Sequence, residues 1–456
     1  MIPSTDERLP PLRLFALALQ HVLTMYAGAV TVPLVVSSAL RLPAEDAAYL
    51  VSSDLVACGI VTLIQCLGLF GVGVRLPVMM GVTFVSVGPS IAIAANPALG
   101  LPGIFGATIV SGVVGVVIAP WFSRLSALFA PVVTGTAMLL IGVSLMGVAV
   151  NWVAGGLGGQ PSDLWSLCLA LFVILIILAL TRFARGMLAN TAVLLGIVAG
   201  FAVAWASGRT NLIGVAHAGW FSLVSPLHFG LPRFDLLAAV SMTLVMLITM
   251  VESTGMLFAL GRIVDRPLTQ GDLTRGLRAD AVGAAIGGLF NSLPYTSYAQ
   301  NVGIVAMTGV RSRFVCAAAG AILIALGTLP KLSFLVTAIP PPVLGGAALV
   351  MFGMVAATGV QTLGQSDLSD KKNLYVVALS LGVGLIPVVD PHFFDKLPPS
   401  ISTFLHNGVV LGVATAIVLN LLLNRSRGAG ALHTAAAAGS TTAHPSGEGV
   451  VVAEQA

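Results

Sequence analysis

The chain has 456 residues, of which 57% are hydrophobic and only 8% are charged. Soluble domains usually carry about 25% charged residues, so the composition excludes an ordinary soluble enzyme. The mean hydropathy is +1.01, and apolar runs of about 20 residues recur along the chain. These features predict an all-α polytopic membrane protein.

The pattern predicts fourteen membrane segments, of which the third, ninth and tenth are interrupted by glycine and proline. The predicted segments are 14–36, 49–70, 77–95, 103–121, 126–149, 164–181, 188–206, 234–260, 278–292, 294–309, 314–330, 335–358, 373–389 and 401–423. After them, residues 428–456 are rich in Ala, Gly, Ser and Thr, which predicts a disordered cytoplasmic tail.

The basic residues test this layout, because loops on the cytoplasmic side of a membrane protein carry an excess of Lys and Arg. With fourteen segments, five of the 21 Lys and Arg residues fall on one side and the other 16 on the opposite side. The five are Arg41, Arg209, Arg233, Lys331 and Lys396. This bias predicts cytoplasmic termini and accounts for the basic pI without a nucleic-acid partner.

An internal repeat links the fifth and twelfth segments. The stretch PVVTGTAMLLIG (131–142) matches PVLGGAALVMFG (342–353) in its Pro, Val, Gly and Ala positions. Seven segments separate the copies, so they would cross the membrane in opposite directions. This predicts two inverted seven-helix repeats, as in secondary transporters; chance similarity between Gly- and Ala-rich helices is the alternative.

The same repeat pairs the interrupted third and tenth segments, 77–94 and 292–309. Both begin near a proline and continue as a short apolar helix. Interrupted backbone at membrane depth is tolerated only where it is buried in protein or lines a cavity. Paired breaks of this kind therefore predict the substrate site. Thr83 and Phe84 would line the first break, where Phe84 either stacks on a flat ligand or packs in the core.

Several polar side chains fall inside predicted segments. Glu252 lies well inside the eighth, where a carboxylate either faces a functional cavity or forms a structural ion pair. His21, beside Gln20 in the first segment, needs a partner for either a functional or a structural role. Asp280 either begins the ninth segment or reaches a polar network.

Gln300 and Asn301 begin the half-helix of the tenth segment. Neutral amides offer both donors and acceptors. Such a pair suits a planar ligand with alternating N–H and C=O groups, or a structural network that holds the broken helix. The four cysteines lie in apolar runs without a CxxC spacing, which predicts packing rather than a metal site. The sequence contains no HExxH motif or catalytic dyad, so no enzyme activity or cofactor is predicted.

Together these residues resemble the nucleobase/ascorbate transporter family, the nucleobase:cation symporters that include bacterial xanthine, uric acid and uracil permeases. The resemblance rests on QNVGIVAMTG, on RADAVGAAIGGLFNSLPYTSYAQN before it, on QH in the first segment and on VESTG in the eighth. It covers roughly residues 14–423.

The resemblance implies a division of the fold. A core domain would comprise 14–121 (segments 1–4) and 234–330 (segments 8–11), with short strands in segments 3 and 10. A gate domain would comprise 126–206 (segments 5–7) and 335–423 (segments 12–14), and would form a homodimer. Alternating access would follow from movement of the core against the gate.

The resemblance also implies roles for single residues. Glu252 and Gln300 would bind the nucleobase, and Asn301 would orient the site. The residues implied to contact substrate beside them are Phe84, Thr83, Tyr298 and Ala299. Glu252, His21 and Asp280 would carry proton coupling, with the proton as coupling ion and no cofactor.

The implied substrate is a purine, because Gln300 is similar to the purine-type members, whereas uracil-type members tend to carry Glu. Met256 departs from some xanthine carriers, which have an acidic residue there, so xanthine and uric acid both remain open. The resulting expectation is a proton symporter in the bacterial plasma membrane. A uracil-type permease and an anion exchanger or channel on the same fold are the alternatives.

Overall fold

The computed structural model describes residues 5–125, 131–155, 163–390, 392–394, 396–397, 405 and 408–440. Seventeen α-helices and two strands form these parts of the chain. The helices are α1 (Pro11–Ala39), α2 (Ala44–Leu67), α3 (Val87–Ala95), α4 (Gly100–Leu125), α5 (Pro131–Val153), α6 (Leu164–Phe183), α7 (Met187–Asn190), α8 (Ala192–Ala206), α9 (Ile213–His217), α10 (Leu236–Ile263), α11 (Gln270–Leu289), α12 (Ala299–Thr308), α13 (Arg313–Gly327), α14 (Pro330–Thr337), α15 (Pro341–Leu363), α16 (Lys371–Val389) and α17 (Gly408–Ser440). The strands are β1 (Met80–Val82) and β2 (Tyr295–Ser297).

Eight of the described helices are long and apolar enough to cross a membrane, and α13 with α14 forms a further candidate span bent by 80°. Three shorter apolar helices fall where the third, seventh and fourteenth segments are predicted. The ninth and tenth correspond to α11, which is less apolar, and to the ten-residue α12. The predicted all-α membrane fold, with strands in segments 3 and 10, is confirmed.

The ninth segment begins earlier than its predicted start at residue 278. Thr269 and Asp272 form a capping box, in which each side chain accepts a hydrogen bond from the other residue's backbone N–H. This cap begins α11 at Gln270, although its first turns carry charges that resemble a loop. Asp280 consequently lies in the middle of the helix and is fully buried.

The ends of other segments shift for similar local reasons. Segment 12 is predicted from residue 335, but α15 begins at Pro341 because proline suits the first turn of a helix. Helix α17 continues to Ser440 through part of the segment predicted as a disordered tail; its alanine run has high helix propensity. Residues 441–456 lie outside the described parts of the chain.

The two strands pair antiparallel at the point where segments 3 and 10 break. Met80 pairs with Ser297, Gly81 with Thr296 and Val82 with Tyr295. Two flanking bonds extend the ladder: the Thr83 N–H donates to the Pro294 carbonyl, and the Tyr298 N–H donates to the Met79 carbonyl, each at 2.9 Å. This pairing satisfies the extended backbone without water, which allows it to lie inside a membrane protein.

The spanning helices pack in two groups. The first bundle consists of α1, α2, α4, α10, α11 and α13, and its helices α1, α2, α10 and α11 contact the paired strands. The second bundle consists of α5, α6, α8, α15, α16 and α17. Contacts within each bundle are extensive, whereas contacts between the bundles are few.

Helices α5 and α15, which carry the repeated sequence, pack closely in opposite directions. Gly135 near the start of α5 lies against Leu363 at the end of α15, while Gly345 near the start of α15 lies against Val153 at the end of α5. Small residues allow this approach between membrane helices. The antiparallel contact is the arrangement that an inverted repeat predicts.

The two ends of the bundles differ in the contacts that they make. The Pro11 face is the end at which α1 begins; there Arg313 donates to the carbonyls of Cys66 and Leu67 at the end of α2. The Ala39 face is the opposite end; there the Trp152 indole on α5 donates to the Ser38 hydroxyl on α1 at 3.0 Å. This last bond joins the two bundles.

Gly142 provides a test of the α5–α15 contact. A methyl group at Gly142 would lie 2.5 Å from the Ala356 backbone nitrogen, whereas one at Gly147 on the same helix would meet no atom within 4 Å. We expect Gly142→Ala to lower the free energy of unfolding by about 1–3 kcal/mol, because the helices must separate. The stabilities of Gly142→Ala and of the control Gly147→Ala are measured by thermal unfolding in the same detergent. Gly147→Ala should be as stable as the unmodified protein. Equal losses for both variants would contradict the contact.

Candidate functional site

A cavity of about 40 Å³ lies between the two bundles. Its walls come from α10 of the first bundle and from α5 and α17 of the second. Among the described lining residues, Glu252 is the only charged side chain and Thr134 the only other polar one. The cavity extends to Val133 in the first turn of α5, and therefore reaches towards the Pro11 face.

Glu252 is held on α10 beside strand β2. Its carboxylate is within hydrogen-bonding reach of the Thr296 hydroxyl in the strand. The neighbouring Ser253 is buried, lies 3.3 Å from the Thr296 hydroxyl and accepts the Ser297 backbone N–H at 3.2 Å. These contacts fix α10 to the strand, so Glu252 has a set position at the cavity wall.

Asp280 lies behind Glu252 and away from the cavity. It is fully buried on α11, where the Gln65 amide donates to its Oδ1 at 3.4 Å. Its carboxyl group also interacts with the Ser253 hydroxyl and with the charge of Glu252. The structure therefore joins the two predicted acidic residues through Ser253 and β2.

His21 belongs to a different contact, between α1 and α12. The Asn301 amide nitrogen donates to the His21 carbonyl at 3.1 Å and lies 3.0 Å from His21 Nδ1. Since the carbonyl can only accept, the nitrogen position of the amide is fixed and Nδ1 acts as an acceptor. The Cys316 thiol lies 3.8 Å from the same ring nitrogen. His21 thus orients Asn301 rather than contacting Glu252 or Asp280 through these bonds.

The remaining predicted residues line the breaks. Gln300 is exposed at the second position of α12, and Ala299 is half-buried before it. Tyr298 is buried, and its ring occupies the space where side chains at Gly28 and Gly81 would otherwise lie. Its hydroxyl has no hydrogen-bond partner among the described residues.

The break in segment 3 places Thr83 and Phe84 differently. Thr83 is buried and its hydroxyl accepts the Val85 N–H, so it caps the short 3₁₀ turn Phe84–Ser86. Phe84 is half-buried and packs edge-on against Phe352 of α15, with 5.6 Å between the ring centres. Phe84 therefore bridges the two bundles.

Sequence reasoning missed the residues that connect these groups. Ser253, Thr296 and Gln65 make the contacts to Glu252 and Asp280 described above. In the sequence, these residues are visible only as a hydroxyl next to the predicted carboxylate in VESTG and as a glutamine inside an apolar helix. Both are common enough that only the fold identifies their partners.

This arrangement defines a class of protein: a membrane transporter with inverted repeats, whose paired broken helices meet beside the half-buried carboxylate of Glu252. The sequence model of the permease family matches residues 12–393. The chain belongs to this family, and is a membrane permease rather than an enzyme.

Individual relatives support the assignment. The chain is 50% identical over 422 residues to the uric acid transporter UacT of Escherichia coli (strain K12), covering 92% of this chain and 88% of the relative. It is 42% identical over 410 residues to the xanthine permease of Bacillus subtilis (strain 168), covering 90% and 93%. The murine solute carrier 26 member A9 anion transporter shares the fold, with a TM-score of 0.63, 12% identity and coverage of 92% and 69%.

Ser253 provides a test of how α10 is held to β2. We expect Ser253→Ala to lower the free energy of unfolding by about 1–3 kcal/mol, because the buried Ser297 N–H loses its acceptor. Thr254→Ala is the matched control, since the Thr254 hydroxyl bonds the Met250 carbonyl of its own helix. Melting temperatures of the purified variants measure the effect. A loss for Thr254→Ala as large as that for Ser253→Ala would contradict the bridging role.

Proposed function

We propose that this protein is a proton-coupled symporter that brings an oxidised purine nucleobase, xanthine or uric acid, into the cell. The observation that carries the proposal is the close relationship to a uric acid transporter and a xanthine permease, together with a single carboxylate at the cavity between the bundles.

The chemistry of the site suits such a ligand. Xanthine and uric acid are flat rings whose edges alternate N–H donors and C=O acceptors. The Glu252 carboxylate accepts from ring N–H groups, and the Gln300 amide both donates and accepts. We assign Phe84, Thr83, Tyr298, Ala299 and Asn301 to the surroundings of the ring. The contact of the Asn301 amide nitrogen with His21 supports this assignment, because it fixes the orientation of the amide.

The pairing of two carboxyl groups supports the proposed proton coupling. Glu252 faces the cavity and interacts with buried Asp280. Two such groups repel each other when both are ionised, so a proton on one of them stabilises the site. We propose that this proton accompanies the substrate, with His21 acting through Asn301. Linkage then requires proton and substrate to strengthen each other's binding.

Alternating access requires the bundles to move relative to each other. We assign the first bundle to the substrate-carrying core and the second to the gate, and propose an elevator-like movement between them. The sparse inter-bundle contacts support this division. The cavity extends towards the Pro11 face, while the Ser38–Trp152 hydrogen bond joins the bundles at the Ala39 face. These two features support a state in which the cavity is accessible from the Pro11 face.

The orientation and assembly are further parts of the proposal. The excess of Lys and Arg in the loops of the Pro11 face supports a cytoplasmic location for that face and for both termini. We propose the bacterial inner membrane as the location. Exposed apolar side chains on α6 and α16 of the second bundle, such as Leu171, Leu175 and Leu379, suit contact with lipid or with a second copy.

An anion exchanger on the same fold is the rival of a different class. The likeness to solute carrier 26 member A9 favours it only at the level of fold. A site for anions prefers cationic groups, and the described lining of the cavity contains none. A uracil-type pyrimidine permease remains the rival within the family.

Glu252→Gln tests the coupling role. The change keeps the shape of the side chain but removes the charge and the proton site. In proteoliposomes with an inward proton gradient, we expect it to reduce accumulation of labelled xanthine by about tenfold or more, because a charged hydrogen bond is worth about 1.5–3 kcal/mol. Glu45→Gln, at the exposed start of α2, should accumulate as the unmodified protein does. Concentrative uptake by Glu252→Gln with unchanged pH dependence would remove Glu252 from coupling.

A competitor panel tests the substrate class. We expect excess unlabelled uric acid or xanthine to abolish uptake of labelled xanthine, whereas uracil and bicarbonate leave it within about twofold, because neither presents the purine edge that Glu252 and Gln300 would grip. A protonophore should collapse accumulation, and replacing sodium should not. Competition by uracil would favour the pyrimidine permease, and competition by bicarbonate the anion exchanger.

A further inference from the structure

A further buried carboxyl group lies on the opposite side of strand β2 from Glu252. Asp54, on α2, is 2% exposed. Its Oδ1 accepts hydrogen bonds from the hydroxyls of Ser292, at 2.8 Å, and Tyr295, at 2.9 Å. Its Oδ2 has no partner among the described residues. A carboxyl oxygen left without a partner at membrane depth points to a ligand that the protein atoms do not supply.

Asp54 borders a small cavity of its own, of about 20 Å³. The other described polar groups lining it are Asn291 and Ser292. The remaining walls are apolar and come from α1, α2, α4, β1 and the segment before β2: Pro33, Val36, Leu50, Val82, Leu101, Ile104, Phe105 and Leu293. The cavity is therefore separate from the one at Glu252, and it lies inside the first bundle.

The surroundings of Asp54 narrow the choice of ligand. The groups that interact electrostatically with it are Cys58, one turn further along α2, and the phenols of Tyr295 and Tyr298. No Lys, Arg or His lines the described part of the cavity. A metal cation needs about six oxygen ligands, and the described residues contain no cluster of three or more His, Cys, Asp or Glu side chains that could hold one. A proton needs only the one free oxygen.

We propose that Asp54 is a second proton-binding site, distinct from the Glu252–Asp280 pair. The proton binds at Oδ2 and is delivered through the cavity bounded by α1, α2 and α4. Ser292 and Tyr295 hold the carboxylate through Oδ1 in either state, and a proton on Oδ2 weakens Oδ1 as an acceptor. The proton therefore loosens these two hydroxyl bonds.

The connection to the substrate site runs through strand β2. Successive side chains of a strand point to opposite sides, and β2 shows this directly. Tyr295 reaches Asp54, while the next residue, Thr296, lies against Ser253 and within reach of Glu252. A change in the bonds of Tyr295 thus acts on the strand that positions Glu252. This connection rests on the proposed function, whereas proton binding by Asp54 does not.

Infrared spectroscopy of the purified protein tests proton binding without any substrate. The C=O stretching band of protonated carboxyl groups is followed from about pH 4 to about pH 10, a range that spans the titration of perturbed carboxyls. We expect Asp54→Asn to remove one component of this band and Glu252→Gln to remove a different one. Asp46→Asn, which changes a carboxylate at the start of the same helix, should remove neither.

Tyr295→Phe provides a second test in case Asp54→Asn does not fold. It keeps the carboxyl group but removes one of its two donors, so the component should persist with a displaced pH midpoint. If the bands of Asp54→Asn and the unmodified protein coincide at every pH, Asp54 does not bind a proton in this range and the proposal is wrong. The proposal is also wrong if the component keeps its pH midpoint in Tyr295→Phe, because the band would then belong to another group.

Binding of labelled xanthine across the same pH range tests the connection. We expect Asp54→Asn to bind xanthine with a flatter pH dependence than the unmodified protein. An unchanged pH dependence, with the infrared component lost, would separate Asp54 from the substrate site. A failure of all variants to bind xanthine would contradict the proposed substrate and leave the infrared result intact.

Discussion

The hydrogen bonding of two extended segments inside the first bundle is the constraint on which the rest of the structure depends. A helix satisfies its own backbone, but an extended segment at membrane depth must find a partner or lose several kcal/mol per group. Here β1 and β2 provide each other's partners. Each strand is followed by a short helix, so two helix beginnings, with their free N–H groups, lie within the protein rather than at its surface.

This pairing requires particular residues around it. Tyr298 follows β2, and its ring lies where side chains at Gly28 of α1 and Gly81 of β1 would be, so only glycine fits at those positions. On one side of β2, hydroxyl groups hold Asp54; on the other, they contact Glu252 and, through Ser253, Asp280. One extended segment therefore positions three carboxyl groups that the sequence places on three different helices. A movement of β2 would therefore change the surroundings of all three carboxyl groups.

Much of this can be predicted from the sequence, because membrane helices have a strong hydrophobic signal and their interruptions stand out against it. The paired breaks, the repeat and Glu252 are each visible as local exceptions. The neighbours of each residue are not. The sequence pattern puts Asp280 near a helix start because the capping box at Thr269 lies within a charged stretch that resembles a loop. His21 contacts Asn301, which is 280 residues away along the chain. Hydrophobic periodicity predicts helices but not contacts between residues so far apart in sequence.

The contrast between packing within and between the bundles explains how such a site can serve transport. Within the second bundle, glycines let α5 and α15 approach so closely that relative movement would break many contacts. Between the bundles, the contacts include an edge-on pair of rings, Phe84 with Phe352, and the Ser38–Trp152 hydrogen bond. Both are small enough to break and re-form. Because Glu252 lies on the wall that the bundles share, the proposed displacement of one bundle against the other would change what faces the carboxylate and leave its contacts with β2 intact. A site that keeps its geometry while its exposure changes is what alternating access requires.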